Sequence, residues 1–227
     1  MSAWAVIVAG GTGTRMGSAQ PKQLLTVGGI TIIERTVRLF AGNPEIEGIV
    51  VAAAESAIDG IREALDAYSV IVVIGGAERQ DSVINALGAV PDSVDVVLVH
   101  DAVRPFVQKR VIAECIAKAR EFGAVSVMRP LKETIKVVED GIVVETPDRS
   151  RLWITQTPQA FRIALLRKAH ERARKSGFKA TDDCMLVEEL GIRVHCVEGD
   201  DYNIKITTPA DMVFAEAVCR LFEQGDK

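Results

Sequence analysis

The chain has 227 residues, with 27 Lys and Arg against 31 Asp and Glu, so its formal net charge is −4. Hydrophobic residues make up 48% of the chain, which excludes global disorder, and the mild net acidity argues against a protein that coats nucleic acid. A chain of this length buries roughly 70–75% of the surface of its unfolded form. We therefore expect one domain over residues 1–227 with a full hydrophobic core.

The cysteines and the N-terminus indicate a cytoplasmic protein. The four cysteines form no CxxC pair, and together with the histidines they show no zinc-ligand spacing. The first residues lack the basic region of a signal peptide, and no apolar run approaches the about 18 residues of a membrane helix. We therefore expect reduced thiols, no membrane segment and a cytoplasmic location.

Short apolar runs rich in Val and Ile alternate with amphipathic stretches along the chain. They predict strands at Trp4–Ala9, Ile49–Ala53, Val70–Ile74, Val96–His100 and Ala124–Met128. Predicted helices are Thr31–Phe40 (with Thr31 and Glu34 as a capping box), Ser56–Tyr68, Asp81–Ala89, Gln108–Glu121, Arg162–Lys175, Asp182–Leu190 and Pro209–Phe222. Because the strands are apolar on both faces, the pattern predicts an α/β protein of three α/β/α layers, Rossmann-like, with a mostly parallel central sheet.

One segment departs from this alternation. Two β-rich runs flank Asp140-Gly141 between Thr134 and Thr146, which predicts a β-hairpin. The hairpin carries apolar residues on both faces, and a two-stranded hairpin is marginally stable alone. These apolar residues must be buried either against the rest of their own domain or against another subunit, and the sequence pattern favours neither alternative.

A glycine-rich loop follows the first predicted strand, with Gly10, Gly11, Gly13 and Gly17. Met16 in place of a third glycine excludes the dinucleotide fingerprint, and the P-loop Gly-Lys-Ser/Thr is missing. The backbone N–H groups of such a loop can hold phosphate oxygens, and the nearby cations Arg15 and Lys22 suit a triphosphate. The alternative is a tight strand-to-helix turn with solvated cations.

Several motifs carry a resemblance to a known family. They are GGTGTRMG (residues 10–17) with PKQ (21–23), GGAERQDS (75–82), VHDAVRP (99–105), DRSRLW (148–153), QTPQ (156–159), TDD (181–183) and NIKIT (203–207). The chain resembles the sugar-phosphate nucleotidyltransferases and, within them, the methylerythritol-phosphate cytidylyltransferases over nearly its whole length. The resemblance implies the nucleotidyltransferase version of the fold, with a protruding β-hairpin arm at residues 132–152.

The resemblance also implies roles for the residues that bind the nucleotide. Arg15 and Lys22 match residues that stabilise charge at the α-phosphate of CTP. Gly76 and Ser82 match positions that read cytosine, although Ser82 is also explained as a hydroxyl at the start of a helix. Backbone contacts to CTP are implied for Ala9, Gly10, Gly11 and Gly13.

Asp101 is a candidate ligand of a metal ion. It follows the apolar run that ends at His100, and open α/β sheets bind their ligands at that edge. A carboxylate facing a triphosphate needs a cation, and Mg²⁺ binds through one or two carboxylates plus substrate phosphates. The resemblance places Asp101 beside the substrate and the metal, in direct contact or through water; the alternative is a cap of the following turn. Arg104 either pairs with Asp101 or contacts a substrate phosphate.

The second substrate, methylerythritol phosphate, is assigned by resemblance alone. Arg149 and Lys205 match residues that position it for attack, and Thr134 and Thr157 match further contacts. In the family the arm crosses to the other subunit of a homodimer. The resemblance therefore favours burial of the hairpin against another subunit over packing on its own domain. A solvated cation is the alternative for Arg149.

None of the three histidines is predicted to be a general base. We expect His170 on the surface, His195 in a structural role, and His100 on the strand face opposite to Asp101. A phosphate monoester has a second pKa of about 6 and is largely dianionic at pH 7, so it can attack without a base.

The predicted reaction is transfer of CMP from CTP to 2-C-methyl-D-erythritol 4-phosphate with release of pyrophosphate. Three alternatives remain at this point: a ribitol-5-phosphate cytidylyltransferase, a nicotinamide-dependent oxidoreductase, and a nucleotide-sensing module without turnover. The segment 148–153 favours the methylerythritol branch over the ribitol branch, and the missing third glycine disfavours nicotinamide binding.

Overall fold

A computed structural model describes residues 2–11 and 20–225. Its main sheet contains β1 (Ala3–Ala9), β4 (Ile46–Ala53), β5 (Ile71–Ile74), β6 (Val96–Asp101), β7 (Ala124–Pro130), β10 (Trp153–Arg162) and β11 (His195–Glu198). Two short ladders are formed by β2 (Thr26–Val27) with β3 (Ile30–Thr31), and by β8 (Val137–Glu139) with β9 (Ile142–Glu145). The strand order of the main sheet is β11-β7-β10-β6-β1-β4-β5.

The main sheet is mostly parallel, as predicted. Strand β1 lies between β4 and β6 and runs parallel to both, β5 continues this direction, and β11 is parallel to β7. The exception is β10, which is antiparallel to both of its neighbours, β6 and β7. This strand was not predicted from the sequence.

Helices cover both faces of the sheet. They are α1 (Ile32–Ala41), α2 (Ile58–Ala64), α3 (Arg79–Leu87), α4 (Lys109–Phe122), α5 (Ile163–Ser176), α6 (Asp183–Glu188) and α7 (Pro209–Gly225). One core cluster joins the sheet to α1, α2 and α4, and a second joins it to α3, α5 and α6. Strand β1 supplies both, because Ala5 and Ile7 face the first cluster and Val6 faces the second. The three predicted layers are confirmed.

The start of α1 keeps half of its predicted capping box. Thr31 Oγ1 accepts a hydrogen bond from the Glu34 N–H at 3.2 Å. The Glu34 carboxylate instead lies 3.5 Å from the Tyr68 hydroxyl.

Helix α2 is shorter than the predicted helix over residues 56–68, because it ends at Ala64. The Leu65 N–H donates to the carbonyl oxygens of both Ile61 and Arg62, so the last turn tightens toward a 3₁₀ turn.

The arm projects from the end of β7. Its turn residues Asp140 and Gly141 have φ of 48° and 79°, the positive values that a two-residue hairpin turn requires. A hydrogen bond of 3.0 Å from the Leu131 N–H to the Leu152 carbonyl closes its base. Every residue from 132 to 146 is exposed, so the alternative in which the hairpin packs on its own domain is wrong.

In the part of the chain that the structure describes, no helix is both long and apolar enough to cross a membrane.

Candidate active site

A cavity of about 340 Å³ opens beyond the carboxyl ends of β1, β5 and β6. This is the edge at which open α/β sheets bind their ligands. Its walls come from five segments: the turn after β1, the 3₁₀ turn Lys22–Leu24, the loop between β5 and α3 with the start of α3, the end of β6 with the residues after it, and the segment after β11. The lining residues are Val8, Gly10, Gly11, Lys22, Gln23, Gly76, Ala77, Glu78, Arg79, Ser82, Asp101, Val103 and Lys205.

Asp101 ends β6 and lies among three cations. Its Oδ2 is 3.0 Å from Lys205 Nζ and 3.4 Å from Arg104 Nε, and its Oδ1 is 3.4 Å from Arg79 Nε. Burial alone would raise the pKa of Asp101, but Lys205, Arg79 and Arg104 together hold that pKa well below its usual value. Asp101 is therefore a buried carboxylate that stays ionised.

The backbone behind Asp101 is held by a buried polar chain. Thr157 Oγ1 accepts a hydrogen bond from the Asp101 N–H at 3.1 Å and lies 3.0 Å from His100 Nδ1. His100 Nε2 lies 3.0 Å from the Arg104 carbonyl oxygen. Because the Arg104 carbonyl oxygen can only accept, the His100 proton belongs on Nε2, and Nδ1 of the neutral ring accepts a hydrogen bond from the Thr157 hydroxyl. The predicted substrate contact Thr157 thus lies beneath Asp101.

His100 faces the core and not the cavity, as alternation along the strand predicted. Its ring is fully buried and lies 4.9 Å from the ring of Phe40. Burial lowers the pKa of His100 to about 4. Both ring nitrogens are occupied by Thr157 and Arg104, so His100 is not placed to accept a proton from a substrate.

Arg79 connects Asp101 to a second buried carboxylate, Asp183, for which the TDD motif predicted no role. Its Nη1 is 2.6 Å from Asp183 Oδ2, and Asp183 is almost fully buried. Burial lowers the pKa of Arg79, but Asp183 and Asp101 more than compensate and raise it. Burial raises the pKa of Asp183, while Arg79 and then His170 bring it below its usual value. Arg79 therefore remains charged at the wall of the cavity.

The prediction that His170 lies on the surface is wrong. It is buried, and its Nε2 lies 3.3 Å from Asp183 Oδ1 without hydrogen-bond geometry. On α5 it shares the buried face with Ile163, Leu166 and Ala173. The spacing of these residues follows the helical period, and that signal in the sequence would have placed His170 inside.

The glycine turn after β1 is only partly described. Gly10 and Gly11 line the cavity, and Ala9 is buried behind them. A Cβ atom on Gly11 would lie 4.0 Å from Lys22 Nζ, so the Lys22 side chain runs alongside the turn. Gly13 and Arg15, predicted to contact CTP, lie outside the described residues.

Ser82 fixes the opposite wall of the cavity. Its hydroxyl accepts a hydrogen bond from the Gly76 N–H at 3.0 Å and donates to the Glu78 carbonyl oxygen at 3.1 Å. A Cβ on Gly75 would lie 2.8 Å from the same hydroxyl oxygen, so Gly75 must lack a side chain. Ser82 therefore lies near the start of α3, as its alternative role predicts, and it also lines the wall that is predicted to bind cytosine.

The segment after β11 brings Lys205 to Asp101. Asn203 is almost fully buried, and its Nδ2 donates to the Thr157 carbonyl oxygen at 2.9 Å. Its own carbonyl oxygen accepts a hydrogen bond of 2.8 Å from Arg104 Nη1. Of the two alternatives for Arg104, the structure shows the pair with Asp101. Asn203 was not identified as a functional residue, although it begins the motif that contains Lys205.

Two predicted acceptor-binding residues lie on the arm and not in this cavity. Arg149 Nη1 donates to the Lys132 carbonyl oxygen at 2.9 Å across the base of the arm. Thr134 is exposed in the segment that connects β7 to β8. Neither is among the described residues that line the cavity of their own chain.

The donor atoms at the cavity do not form a metal cage by themselves. Residues 2–11 and 20–225 contain no group of three His, Cys, Asp or Glu side chains that could hold a metal ion. A metal bound here through Asp101 would need oxygen ligands from a substrate or from water.

Comparison with known proteins identifies the family of the chain. The family model of 2-C-methyl-D-erythritol 4-phosphate cytidylyltransferase matches residues 3–221. The chain belongs to this family. A curated cytidylyltransferase of this name from Geobacter metallireducens is 47% identical over 225 residues, covering 96% of this chain and 97% of its relative. One from Geobacillus thermodenitrificans is 43% identical over 94% of this chain and 95% of its own length.

Solved structures of the methylerythritol-phosphate cytidylyltransferase family share the fold. The enzyme of this name from Thermus thermophilus superposes with a TM-score of 0.83 at 37% identity, covering 97% of this chain and 100% of that one. The 4-diphosphocytidyl-2C-methyl-D-erythritol synthase from Anaerococcus prevotii superposes with a TM-score of 0.86 at 33% identity, covering 96% of each chain. The predicted nucleotidyltransferase fold is confirmed.

Proposed function

We propose that this chain transfers CMP from CTP to 2-C-methyl-D-erythritol 4-phosphate, which gives 4-diphosphocytidyl-2-C-methyl-D-erythritol and pyrophosphate. The observation that carries the proposal is one cavity that combines a glycine turn with cations around a buried carboxylate. Membership in the cytidylyltransferase family supports the cytidine nucleotide and the acceptor, and it argues against the oxidoreductase and sensing alternatives.

The reaction requires charge stabilisation more than proton transfer. An oxygen of the acceptor phosphate attacks the α-phosphorus of CTP, the new P–O bond forms, and the bond to the leaving pyrophosphate breaks. The acceptor is largely dianionic at pH 7, so it needs no base, and His100 has both ring nitrogens engaged. Lys22, with Arg15, offsets the negative charge that grows at the α-phosphorus, and Lys205 holds the acceptor.

Asp101 is the group that would hold Mg²⁺. It is a buried, ionised oxygen ligand in a cavity whose described lining contains no His or Cys, and this hard donor suits Mg²⁺. When bound, the ion neutralises phosphate charge. The Asp101 oxygens contact Lys205, Arg104 and Arg79, so these side chains compete with the metal for the carboxylate.

The exposed arm supports a homodimer. Its side chains Ile135, Val137, Val138, Ile142, Val143 and Val144 are exposed, with Ile142 at 67% and Val143 at 56%. An apolar surface of this kind on a projecting hairpin suits burial against a second copy. In such a dimer, Arg149 and Thr134 contact the acceptor in the cavity of the partner. The cytoplasmic location stays a prediction.

Pyrophosphate release by the purified protein tests the proposed reaction. We expect release with CTP and methylerythritol phosphate in the presence of Mg²⁺, and much less when ribitol 5-phosphate replaces the acceptor. Preference for ribitol 5-phosphate would assign the chain to the sister activity. CTP binding without any turnover would identify a sensing module, and NAD binding by calorimetry would support the oxidoreductase instead.

A further inference from the structure

Gln23 is a buried amide beside the glycine turn. It lies in the 3₁₀ turn Lys22–Leu24, only 1% of its surface is exposed, and it contributes to the cavity wall. Its Nε2 donates to the Ala9 carbonyl oxygen at 2.7 Å and to the Gly11 carbonyl oxygen at 2.8 Å. One side-chain nitrogen thus bridges the two carbonyls on either side of Gly10.

The orientation of the Gln23 amide is determined by these carbonyls. Rotating the amide would place Oε1 against two other acceptors, and oxygen cannot donate a hydrogen bond. Within the described residues, Oε1 is buried without a hydrogen-bond partner, so no donor there favours the rotated form. Both amide hydrogens of Nε2 are therefore available for Ala9 and Gly11.

This bridge fixes the direction of a backbone N–H group. A peptide unit is planar and trans, so its carbonyl and N–H point in opposite directions. Since the Ala9 carbonyl points at Gln23, the Gly10 N–H points away from it. Gly10 and Gly11 line the cavity where backbone N–H groups would meet phosphate oxygens.

The turn that carries Gln23 is itself anchored to two helices. The Leu24 N–H donates to the Pro21 carbonyl oxygen at 2.9 Å, and the Ile32 N–H at the start of α1 donates to the Leu25 carbonyl oxygen at 2.9 Å. A Cβ on Gly60 of α2 would lie 2.7 Å from Leu24 Cδ1, which shows how closely Leu24 packs there. The backbone that carries the Gln23 amide is thus fixed by its contacts with α1 and α2.

We propose that Gln23 is a positioning residue for the triphosphate, acting through the carbonyls of Ala9 and Gly11 and not by touching the reacting atoms. This inference rests on the proposed function, because it presumes that the glycine turn binds the phosphates of CTP. It predicts that removing the amide weakens binding of the triphosphate and leaves binding of the nucleoside intact.

The test compares CTP and cytidine as ligands of the full chain. Gln23→Met keeps the length of the side chain but leaves both carbonyls unpaired. We expect the Kd for CTP, measured by calorimetry with Mg²⁺, to rise about tenfold or more, as the loss of buried hydrogen bonds implies. The Kd for cytidine, measured by NMR titration, stays within about twofold because the cytosine wall is built by Gly76 and Ser82.

Arg167→Met is a matched control. Arg167 Nη2 also bridges two backbone carbonyls, those of Leu87 and Val90 at 3.2 and 2.7 Å, but it lies outside the cavity lining. The control shows the effect of losing such a bridge on stability alone, and we expect unchanged affinities for both ligands. Gln23→Leu, which has no donor and adds no charge beside the triphosphate, serves as the second variant if Gln23→Met does not fold.

Two results would overturn the role of Gln23: equal weakening of CTP and cytidine, or an unchanged Kd for CTP in both Gln23 variants. A wild-type protein that binds neither ligand would instead overturn the proposed function, so the two failures are distinguishable.

Discussion

Asp101 links the chemistry of the cavity to the stability of the fold. Its pKa in the folded chain lies below the unfolded value because Lys205, Arg79 and Arg104 outweigh the effect of burial. Stability from such a group is complete above the unfolded pKa, about 3.9, and is lost as the pH falls below it. Burial lowers the pKa of His100 from about 6.5 to about 4, so the unfolded chain binds a proton at this histidine at a higher pH than the folded chain does. The stability that depends on a neutral His100 is therefore lost as the pH falls from about 6.5 to about 4.

We predict that Asp101→Asn destabilises the chain at pH 7 by about 3–5 kcal/mol, because it leaves three cations without their shared anion. The free energies of unfolding of the wild type and the variant should then converge as the pH falls below about 4. Urea unfolding at closely spaced pH values measures both. A difference that stays constant between pH 7 and pH 3 would contradict the assigned ion pairs.

Strands that consist of β-branched apolar runs were predictable from the sequence. Strand β10 was not, because it lacks such a run. Its middle contains Gln156, Thr157 and Gln159, all buried, and Pro158, which usually marks an edge strand. The register of β10 against β7 shifts between Thr155 and Gln159, which accommodates the proline in a central strand. These polar residues contact Asp101, Asp182 and Asp200, partners that local periodicity does not contain.

Site residues were predictable where a motif marks the end of a strand, as for Asp101 and Gly10. The pair of Arg79 with Asp183 joins residues 104 positions apart through β10 and α6, and no local pattern indicates it. The helical period of α5 indicates that His170 is buried, but it does not indicate the contact of His170 with Asp183. Such contacts follow from the packing of elements that were themselves only partly predicted.

At the level of elements, the arm is expected to hold two copies together. Ile142 and Val144 lie two residues apart on β9, share one face and are more than half exposed. We predict that Ile142→Asp combined with Val144→Asp turns the dimer into a monomer, since burying two carboxylates in an apolar interface is costly. Light scattering at several concentrations measures the mass.

Val213→Asp provides the control for the arm variant. Val213 is 72% exposed on α7, so the substitution adds a charge at an exposed apolar side chain outside the arm. We expect its mass to equal that of the wild type. A dimer that survives the double substitution in the arm, or dissociates with Val213→Asp, would place the interface elsewhere.

At the scale of the whole molecule, cations gather at one cavity of an acidic protein. The formal charge is −4, yet Lys22, Arg79 and Lys205 line a single opening. Arg149, the remaining predicted cation for the acceptor, lies at the base of the arm and outside that lining. If the cavity is completed by the partner, then the functional unit is the dimer, and its two-fold symmetry gives each arm the same role.

This arrangement predicts complementation between two inactive variants. Lys22→Ala damages the cavity of its own subunit, whereas Arg149→Ala damages the cavity of the partner if the arm acts across the interface. A heterodimer of the two then contains one cavity that carries both substitutions and one that carries neither. Co-expression in equal amounts makes half of the dimers mixed, so pyrophosphate release should recover to roughly a quarter of the wild-type rate per subunit. Activity that stays at the level of the parent homodimers would show that Arg149 acts on its own subunit.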